Sequence, residues 1–122
     1  MNPSRGDIYW VSLPTSEGRE QAGRRPALVI QHDPFTLSLP TVLIVPITSN
    51  LRAASFAGTI RIDPTEANGL NVPSVLLVFQ LRAIDKRRLS NQAGKISASQ
   101  LEEVLEMIDL LLGKKREAEG LA

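Results

Sequence analysis

The sequence predicts a mainly β domain that ends in one α-helix. Between residues 7 and 96, short segments rich in β-branched and aromatic residues alternate with turns that contain glycine or proline. A single amphipathic repeat follows from residue 97. The 122 residues are enough for one domain. We therefore expect a small, strongly bent sheet or barrel with the helix packed against it.

The strand segments and the loops between them follow in order along the chain. The predicted strands are 7–13, 26–32, 41–48, 58–62, 74–84 and 88–96. The longest of them is expected to bend near Gln80, and the last one lies at an edge. Residues 14–24 form a predicted polar loop that is long for a hairpin, which is typical of functional loops. Residues 33–40 contain two prolines and are predicted to be a loop.

The C-terminal helix carries its own start and stop signals. Ser97 and Gln100 have capping-box spacing, and Gly113 is suited to end the helix. The apolar stripe consists of Leu101, Val104, Leu105, Ile108, Leu111 and Leu112. We expect a single domain over residues 1–116 and a frayed tail over 117–122.

Composition excludes several kinds of site. The chain has no cysteine, which rules out disulfides, thiolate zinc sites and cysteine nucleophiles. The one histidine, His32, shares strand parity with Leu28 and Ile30, so we expect it at a strand end and not in catalysis. No carboxylate cluster has the spacing of metal ligands. The sequence therefore predicts a site with neither metal nor cofactor.

Hydropathy and charge bear on location and partners. No apolar run approaches the ~18–20 residues of a membrane span, and the N-terminus lacks a signal-peptide core, so we expect a cytoplasmic protein. Residues 1–96 carry 11 Lys and Arg against 7 Asp and Glu, a balance of +4. Residues 97–122 carry 3 against 6, a balance of −3. A basic body of this kind is compatible with a polyanionic ligand.

Arginines in the first loop are the leading candidates for a phosphate site. Arg19, Arg24 and Arg25 lie within seven residues, and a guanidinium fork matches phosphate oxygens. Pro26 restricts Arg25 to an extended backbone. The alternative is a solvated basic loop whose arginines pair with Glu17 and Glu20.

Two further polar groups are candidates. Thr48, Ser49 and Asn50 end the third strand, where they either donate to a phosphate or cap a turn. Gln80 and Arg82 interrupt an apolar run on one face. They are either a binding pair or the solvent side of an edge strand.

Taken together, five segments resemble the MazF/PemK family of toxin endoribonucleases, also called mRNA interferases. The matching segments are 5–11, 18–30, 45–49, 68–75 and 80–85. The most specific is Glu-Gln-x-Gly-x-Arg-Pro at residues 20–26, followed by an apolar strand. With the helix, the order and spacing extend the resemblance to about residue 112.

The resemblance implies a fold, an activity and partners. The fold is a small SH3-like β-barrel of the CcdB/MazF/PemK type, acting as a homodimer. The activity is that of a type II toxin that cleaves single-stranded RNA at short sequences without a metal. Attack by the 2′-hydroxyl leaves a 2′,3′-cyclic phosphate and a 5′-hydroxyl. The implied partners are mRNA and a cognate antitoxin with an acidic, partly disordered tail.

The resemblance also implies functional residues. The catalytic pair matches Arg25 and Thr48. Arg19 and Gln21 match the loop that borders the RNA groove in relatives, and Gln80 and Arg82 match the segment that helps shape it. Together with Glu20, Arg24, Ser49 and Asn50, these are the residues that we expect to bind RNA. Two positions depart from the family pattern: Phe79 stands where many relatives have an acid, and Arg19 where some have a histidine. Arginine, with a pKa above about 12, is a poor proton shuttle, so the proton donor and acceptor stay unassigned.

Two other functions remain open at the level of the sequence. The chain could be a binding protein on the same barrel, either a non-catalytic RNA binder or an inhibitor of a protein target, as the related CcdB family is of gyrase. Phe79 motivates this alternative. A third reading is an interaction module that has lost its activity through changes at the site.

Overall fold

The computed structural model describes residues 2–114. The strands are β1 (Asp7–Leu13), β2 (Gly23–Val29), β3 (Thr41–Thr48), β4 (Thr59–Ile62), β5 (Ser74–Leu77), β6 (Arg82–Asp85) and β7 (Leu89–Lys95). The helices are α1 (Asp33–Ser38) and α2 (Ala98–Leu111), with short 3-10 helices at Leu51–Ser55, Val78–Gln80 and Lys86–Arg88. The predicted domain boundary at residue 116 and the tail 117–122 lie outside the described residues.

The strands form one antiparallel arrangement centred on β3. The order is β4-β5-β3-β2-β1-β7, and β6 pairs with the first half of β3 while β5 pairs with its end. Within residues 2–114, no pairing joins β4 to β7, so the barrel-like sheet is not closed. The predicted class, mainly β with a C-terminal helix, is confirmed.

The central strands are buried on both faces because their alternate residues enter two different cores. One core, which includes Ile8, Leu28 and Ile47, is covered by α2 through Val104. The other lies on the opposite face and is closed by residues of β6 and β7. Most apolar residues of β1, β2 and β3 are therefore buried, Leu43 and Trp10 being the exceptions, and this pattern fixes the strand register.

Helix α2 begins and ends as its sequence predicts. The Ser97 hydroxyl accepts the backbone N–H of Gln100 at 3.2 Å. At the other end Gly113 has φ +69°, and the N–H groups of Gly113 and Lys114 donate to Leu110 and Asp109. That pair of bonds is a Schellman ending, which requires the left-handed backbone that glycine provides. No helix in residues 2–114 is long and apolar enough to cross a membrane.

Four local predictions need correction. Strand β2 begins and ends three residues earlier than predicted. Residues 33–38 form α1 and not a loop, because Pro34 lies in the first turn, where proline favours a helix. His32 precedes that helix and is exposed, so it does not share the buried face of Leu28 and Ile30. The expected bend near Gln80 is a full interruption that separates β5 from β6.

Close backbone contact holds the turn before β5 against β7. A Cβ on Gly69 would overlap the carbonyl oxygen of Ala93, and one on Gly94 would overlap that of Ala67. The Asn68 side chain adds bonds to the backbone N–H groups of Thr65 and Leu70, both at 3.0 Å. This packing positions residues 69–72, which line the site described next.

Candidate functional site

Arg25 leaves β2 beside the β1–β2 loop and is held by it. Its Nε donates to the carbonyl of Ala22 at 3.1 Å, and its Nη1 donates to the side-chain oxygen of Gln21. The side chain is half-buried, and this desolvation lowers the pKa of Arg25 from its ordinary value. Arginine nevertheless stays protonated in proteins, so the site has a fixed positive charge.

Thr48 ends β3 and begins a capped turn. Its hydroxyl accepts the backbone N–H of Asn50 at 3.1 Å. The Asn50 side chain then accepts the N–H of Arg52, also at 3.1 Å, and starts the 3-10 helix Leu51–Ser55. Thr48 and Asn50 thus perform the turn-capping role left open by the sequence. Because the Thr48 oxygen is the acceptor, that bond does not use the hydroxyl hydrogen.

The first of two clefts, the Trp10 cleft, has a volume of about 380 Å³. Its lining residues are Trp10, Arg24, Arg25, Pro26, Ile47, Thr48, Ser49, Asn50, Gly69, Leu70, Asn71, Val72 and Ser74. The Arg24 guanidinium lies over the Trp10 ring, 5.0 Å from its centroid, and donates to the Ser90 hydroxyl at 3.2 Å. This cation–π contact keeps the charge of Arg24 at the cleft wall.

The second cleft, the Phe79 cleft, has a volume of about 540 Å³. Its lining residues are Arg19, Gln21, Thr48, Asn50, Arg52, Ala53, Ser55, Phe56, Leu77, Phe79 and Gln80. The rings of Phe56 and Phe79 lie 5.8 Å apart at 47°. Both rings are largely exposed, at 54% and 39%, so the wall offers aromatic surface to a ligand.

The two clefts meet at the end of β3. Thr48 and Asn50 line both of them. Arginines occur on each side, whereas neither cleft has an aspartate or glutamate among its described lining residues. Positive charge without compensating carboxylates, together with hydroxyl and amide groups, suits an anionic chain that crosses Thr48.

The structure gathers eight of the ten predicted site residues at these clefts. Arg24, Arg25, Thr48, Ser49 and Asn50 line the Trp10 cleft, and Arg19, Gln21, Thr48, Asn50 and Gln80 line the Phe79 cleft. Glu20 and Arg82 line neither. The Glu20 carboxylate accepts the Ser16 hydroxyl, which lowers the pKa of Glu20, and Arg82 donates to the carbonyl of Gln21 at 3.3 Å.

Two expectations from the sequence are not met: carboxylate pairing of the loop arginines, and a shared strand face for Gln80 and Arg82. No ion pair among residues 2–114 joins Arg19, Arg24 or Arg25 to a carboxylate. Gln80 ends a 3-10 helix and Arg82 begins β6, so they do not share the face of one regular strand. Both side chains instead bind the backbone of the β1–β2 loop.

Sequence reasoning did not single out several lining residues, among them Arg52, Phe56 and Asn71. Arg52 and Phe56 belong to the turn that Asn50 caps, and Asn71 belongs to the turn packed against β7. The signal available for Arg52 was its position two residues after a capping asparagine.

Within residues 2–114, no group of three acidic, histidine or cysteine side chains is arranged to hold a metal ion.

Comparison with known proteins identifies relatives of this fold and site. Residues 4–112 match the family described as PemK-like, MazF-like toxins of type II toxin–antitoxin systems. The curated Endoribonuclease MazF of Staphylococcus saprophyticus is 35% identical over 109 residues, covering 89% of this chain and 90% of that protein.

Solved structures agree with this match. Crystal structure Form-I of MazF from Deinococcus radiodurans superposes with a TM-score of 0.78 at 30% identity, covering 93% of this chain and 98% of the other. Form-II of the MazE–MazF complex from the same organism superposes with a TM-score of 0.72 at 28% identity, covering 94% and 99%.

An open, barrel-like sheet with a C-terminal helix, which superposes on MazF, thus places the protein in this class of toxins. The chain belongs to the PemK-like, MazF-like toxin family of type II toxin–antitoxin systems. The resemblance inferred from the sequence is confirmed. The predicted enzyme class is confirmed as well, because the curated relative is an endoribonuclease.

Proposed function

We propose that this protein cleaves single-stranded RNA at the junction of the two clefts, with Arg25 and Thr48 as catalytic residues. The observation that carries the proposal is the pair of acid-free, arginine-bearing clefts that meet at Thr48. An RNA strand laid across Thr48 would place nucleotides in both clefts. Aromatic and amide groups there can stack on bases and bind their edges.

The chemistry proceeds by attack of the RNA's own 2′-hydroxyl on the adjacent phosphorus. The hydroxyl loses its proton, the P–O5′ bond breaks, and the leaving 5′-oxygen gains a proton. The products are a 2′,3′-cyclic phosphate and a 5′-hydroxyl. Since the substrate supplies the nucleophile, neither a protein nucleophile nor a metal is required. DNA lacks the 2′-hydroxyl and would not react.

Arg25 and Thr48 stabilise the charge that develops on the phosphorane. The loop contacts at Nε and Nη1 fix the Arg25 guanidinium, whereas Nη2 takes no partner among residues 2–114. Preorganised donors of this kind act without a reorganisation cost during reaction. The Thr48 hydroxyl hydrogen can supply one further bond.

RNA digestion tests the proposal directly. We expect the purified protein, in excess chelator, to cut a long RNA at discrete short sequences and leave 2′,3′-cyclic phosphate ends, mapped by primer extension and end-group analysis. A single 2′-deoxy substitution on the 5′ side of the cut should abolish that cut and leave others unchanged. Cleavage that persists at the deoxy position, or strict dependence on added metal, would contradict the mechanism.

The proposal includes a homodimer and a cognate antitoxin, and it places the protein in the cytoplasm, where mRNA is translated. The dimer is supported by exposed apolar side chains that lie outside both clefts, among them Phe35, Leu37 and Leu111. The MazE–MazF complex supports an antitoxin partner. The acidic tail of the cognate antitoxin is expected to occupy the arginine-bearing clefts and to reorder loop 14–24.

We expect light scattering to give a dimer mass for the toxin alone and a larger mass with antitoxin. An acidic antitoxin tail peptide should inhibit RNA cleavage competitively, and Arg24→Ala should weaken that inhibition. The same peptide should inhibit an Arg61→Ala variant as strongly as the wild type, because Arg61 lies on β4 outside both clefts. Undiminished inhibition of Arg24→Ala would show that the tail binds elsewhere.

A further inference from the structure

The β1–β2 loop is tied to the body of the protein through residues 80 and 82. The Gln80 Oε1 accepts the backbone N–H of Gln21 at 2.8 Å, and its Nε2 donates to the carbonyl of Arg19 at 3.1 Å. Arg82 donates to the carbonyl of Gln21 at 3.3 Å. The Gln80 amide thus pairs with residues 19–21 as a neighbouring strand would.

No other long-range hydrogen bond among residues 2–114 holds segment 14–22 of this loop. Within the described residues, the remaining side-chain bonds of segment 14–22 are local: Ser16 with Glu20, Gly18 with Ser16, and Arg25 with residues 21 and 22. Without the contacts of Gln80 and Arg82, a polar loop with only local bonds would sample many conformations. The contacts of Gln80 and Arg82 therefore determine where the loop lies.

The backbone that carries Gln80 is itself fixed. Phe79 N–H donates to the carbonyl of Gly58 at 3.1 Å, and Leu81 N–H closes the 3-10 turn on Val78 at 3.0 Å. Val78 is fully buried in the core beneath α2. The amide of Gln80 therefore projects from a rigid base, as a positioning group requires.

The loop in turn holds the catalytic arginine. Gln21 is bound at its backbone N–H and its carbonyl, and its side-chain oxygen accepts Nη1 of Arg25. The carbonyl of the next residue, Ala22, accepts Nε. A continuous set of hydrogen bonds thus runs from Gln80 through Gln21 to the Arg25 guanidinium.

We propose that Gln80 is a positioning residue that sets the orientation of Arg25 through Gln21 and does not itself read an RNA base. Both polar ends of its amide are used on the loop backbone. This inference rests on the proposed function, because it assigns Arg25 its catalytic role. It revises the expectation that Gln80 binds RNA directly.

The test compares Gln80→Ala with Gln80→Glu and with a matched control, Gln100→Ala, in the full chain. The Gln100 amide also donates to a backbone carbonyl, that of Arg61 at 2.9 Å, but it lies outside both clefts. Gln80→Glu keeps an acceptor for Gln21 N–H and places an oxygen against the Arg19 carbonyl. It should therefore be intermediate, and it is the fallback if Gln80→Ala does not fold.

Two measurements are made on each variant. Hydrogen exchange at the backbone amide of Gln21, followed by NMR, should become about tenfold faster in Gln80→Ala and should not change in Gln100→Ala. With an RNA whose cut sites have been mapped, kcat should fall about 10- to 100-fold with little change in KM, at unchanged cut sequences. A twofold or smaller further loss from Gln80→Ala in a Gln21→Ala background would show that the two act together.

Three results would overturn the proposal. Unchanged exchange at the Gln21 amide would show that Gln80 does not hold the loop. Altered cut sequences at an unchanged rate would show that it reads a base. Full additivity with Gln21→Ala would show that it acts by another route. If the wild-type protein cleaves no RNA, the proposed function fails, whereas the exchange measurement still decides whether Gln80 holds the loop.

Discussion

Replacing Arg25 with alanine is expected to lower kcat/KM for RNA cleavage about 1000-fold, equivalent to about 4 kcal/mol of transition-state stabilisation. The guanidinium is a fixed positive charge that lines the Trp10 cleft with Thr48, and it is oriented by two loop contacts. Loss of that charge removes stabilisation that exists only when the phosphorane forms. Single-turnover cleavage of a mapped RNA gives the rate.

Arg25→Lys separates charge from geometry. Lysine retains one positive charge but cannot make the planar, forked contacts to Ala22 and Gln21. We expect it to recover at most about a tenth of the lost activity. Arg61→Ala serves as the control, since it removes the same charge from an exposed residue paired with Asp63 outside the clefts. Equal cleavage by Arg25→Ala and wild type would remove Arg25 from the catalytic residues.

Much of the fold was predictable because individual segments carry their own signals. β1 and β3 have the predicted bounds, and α2 begins at its predicted cap. The failures occur where tertiary contacts decide. The sequence of residues 74–84 predicts one strand. In the structure, however, Phe79 N–H donates to the carbonyl of Gly58, and the chain turns there. A six-residue helix such as α1 is too short to produce a clear periodic signal.

The candidate site was predictable in its parts and not in its assembly. The arginines of segment 19–25 and the hydroxyls after β3 are recognisable as residue types that bind phosphate. No local pattern, however, shows that Gln80 and Arg82 hold a loop some 60 residues away. Arg52 and Phe56 were missed for a similar reason, since their turn enters a cleft only through tertiary packing. The sequence shows which residue types are present, but their roles depend on long-range contacts that it does not show.

Thr48→Val is expected to lower kcat about 10- to 100-fold, because it removes one hydroxyl donor while keeping the shape of the side chain. The structural consequence is small. The N–H of Asn50 loses its acceptor, but Asn50 is exposed and water replaces the bond, so we expect a stability loss of about 1 kcal/mol or less. A large rate effect beside a small stability effect distinguishes a catalytic hydroxyl from a turn cap.

Two matched variants complete the comparison. Thr48→Ser restores the hydroxyl and should recover most of the rate. Thr65→Val removes a hydroxyl that likewise accepts a backbone N–H in a turn, from Asn68 at 3.0 Å, but outside both clefts. Because Asn68 is buried and its N–H loses its acceptor, the stability loss should be at least as large as that of Thr48→Val, with cleavage unchanged. If Thr48→Val and Thr65→Val cleave RNA equally well, the Thr48 hydroxyl only caps its turn. Of the proposed catalytic pair, Arg25 alone would then donate hydrogen bonds to the phosphate.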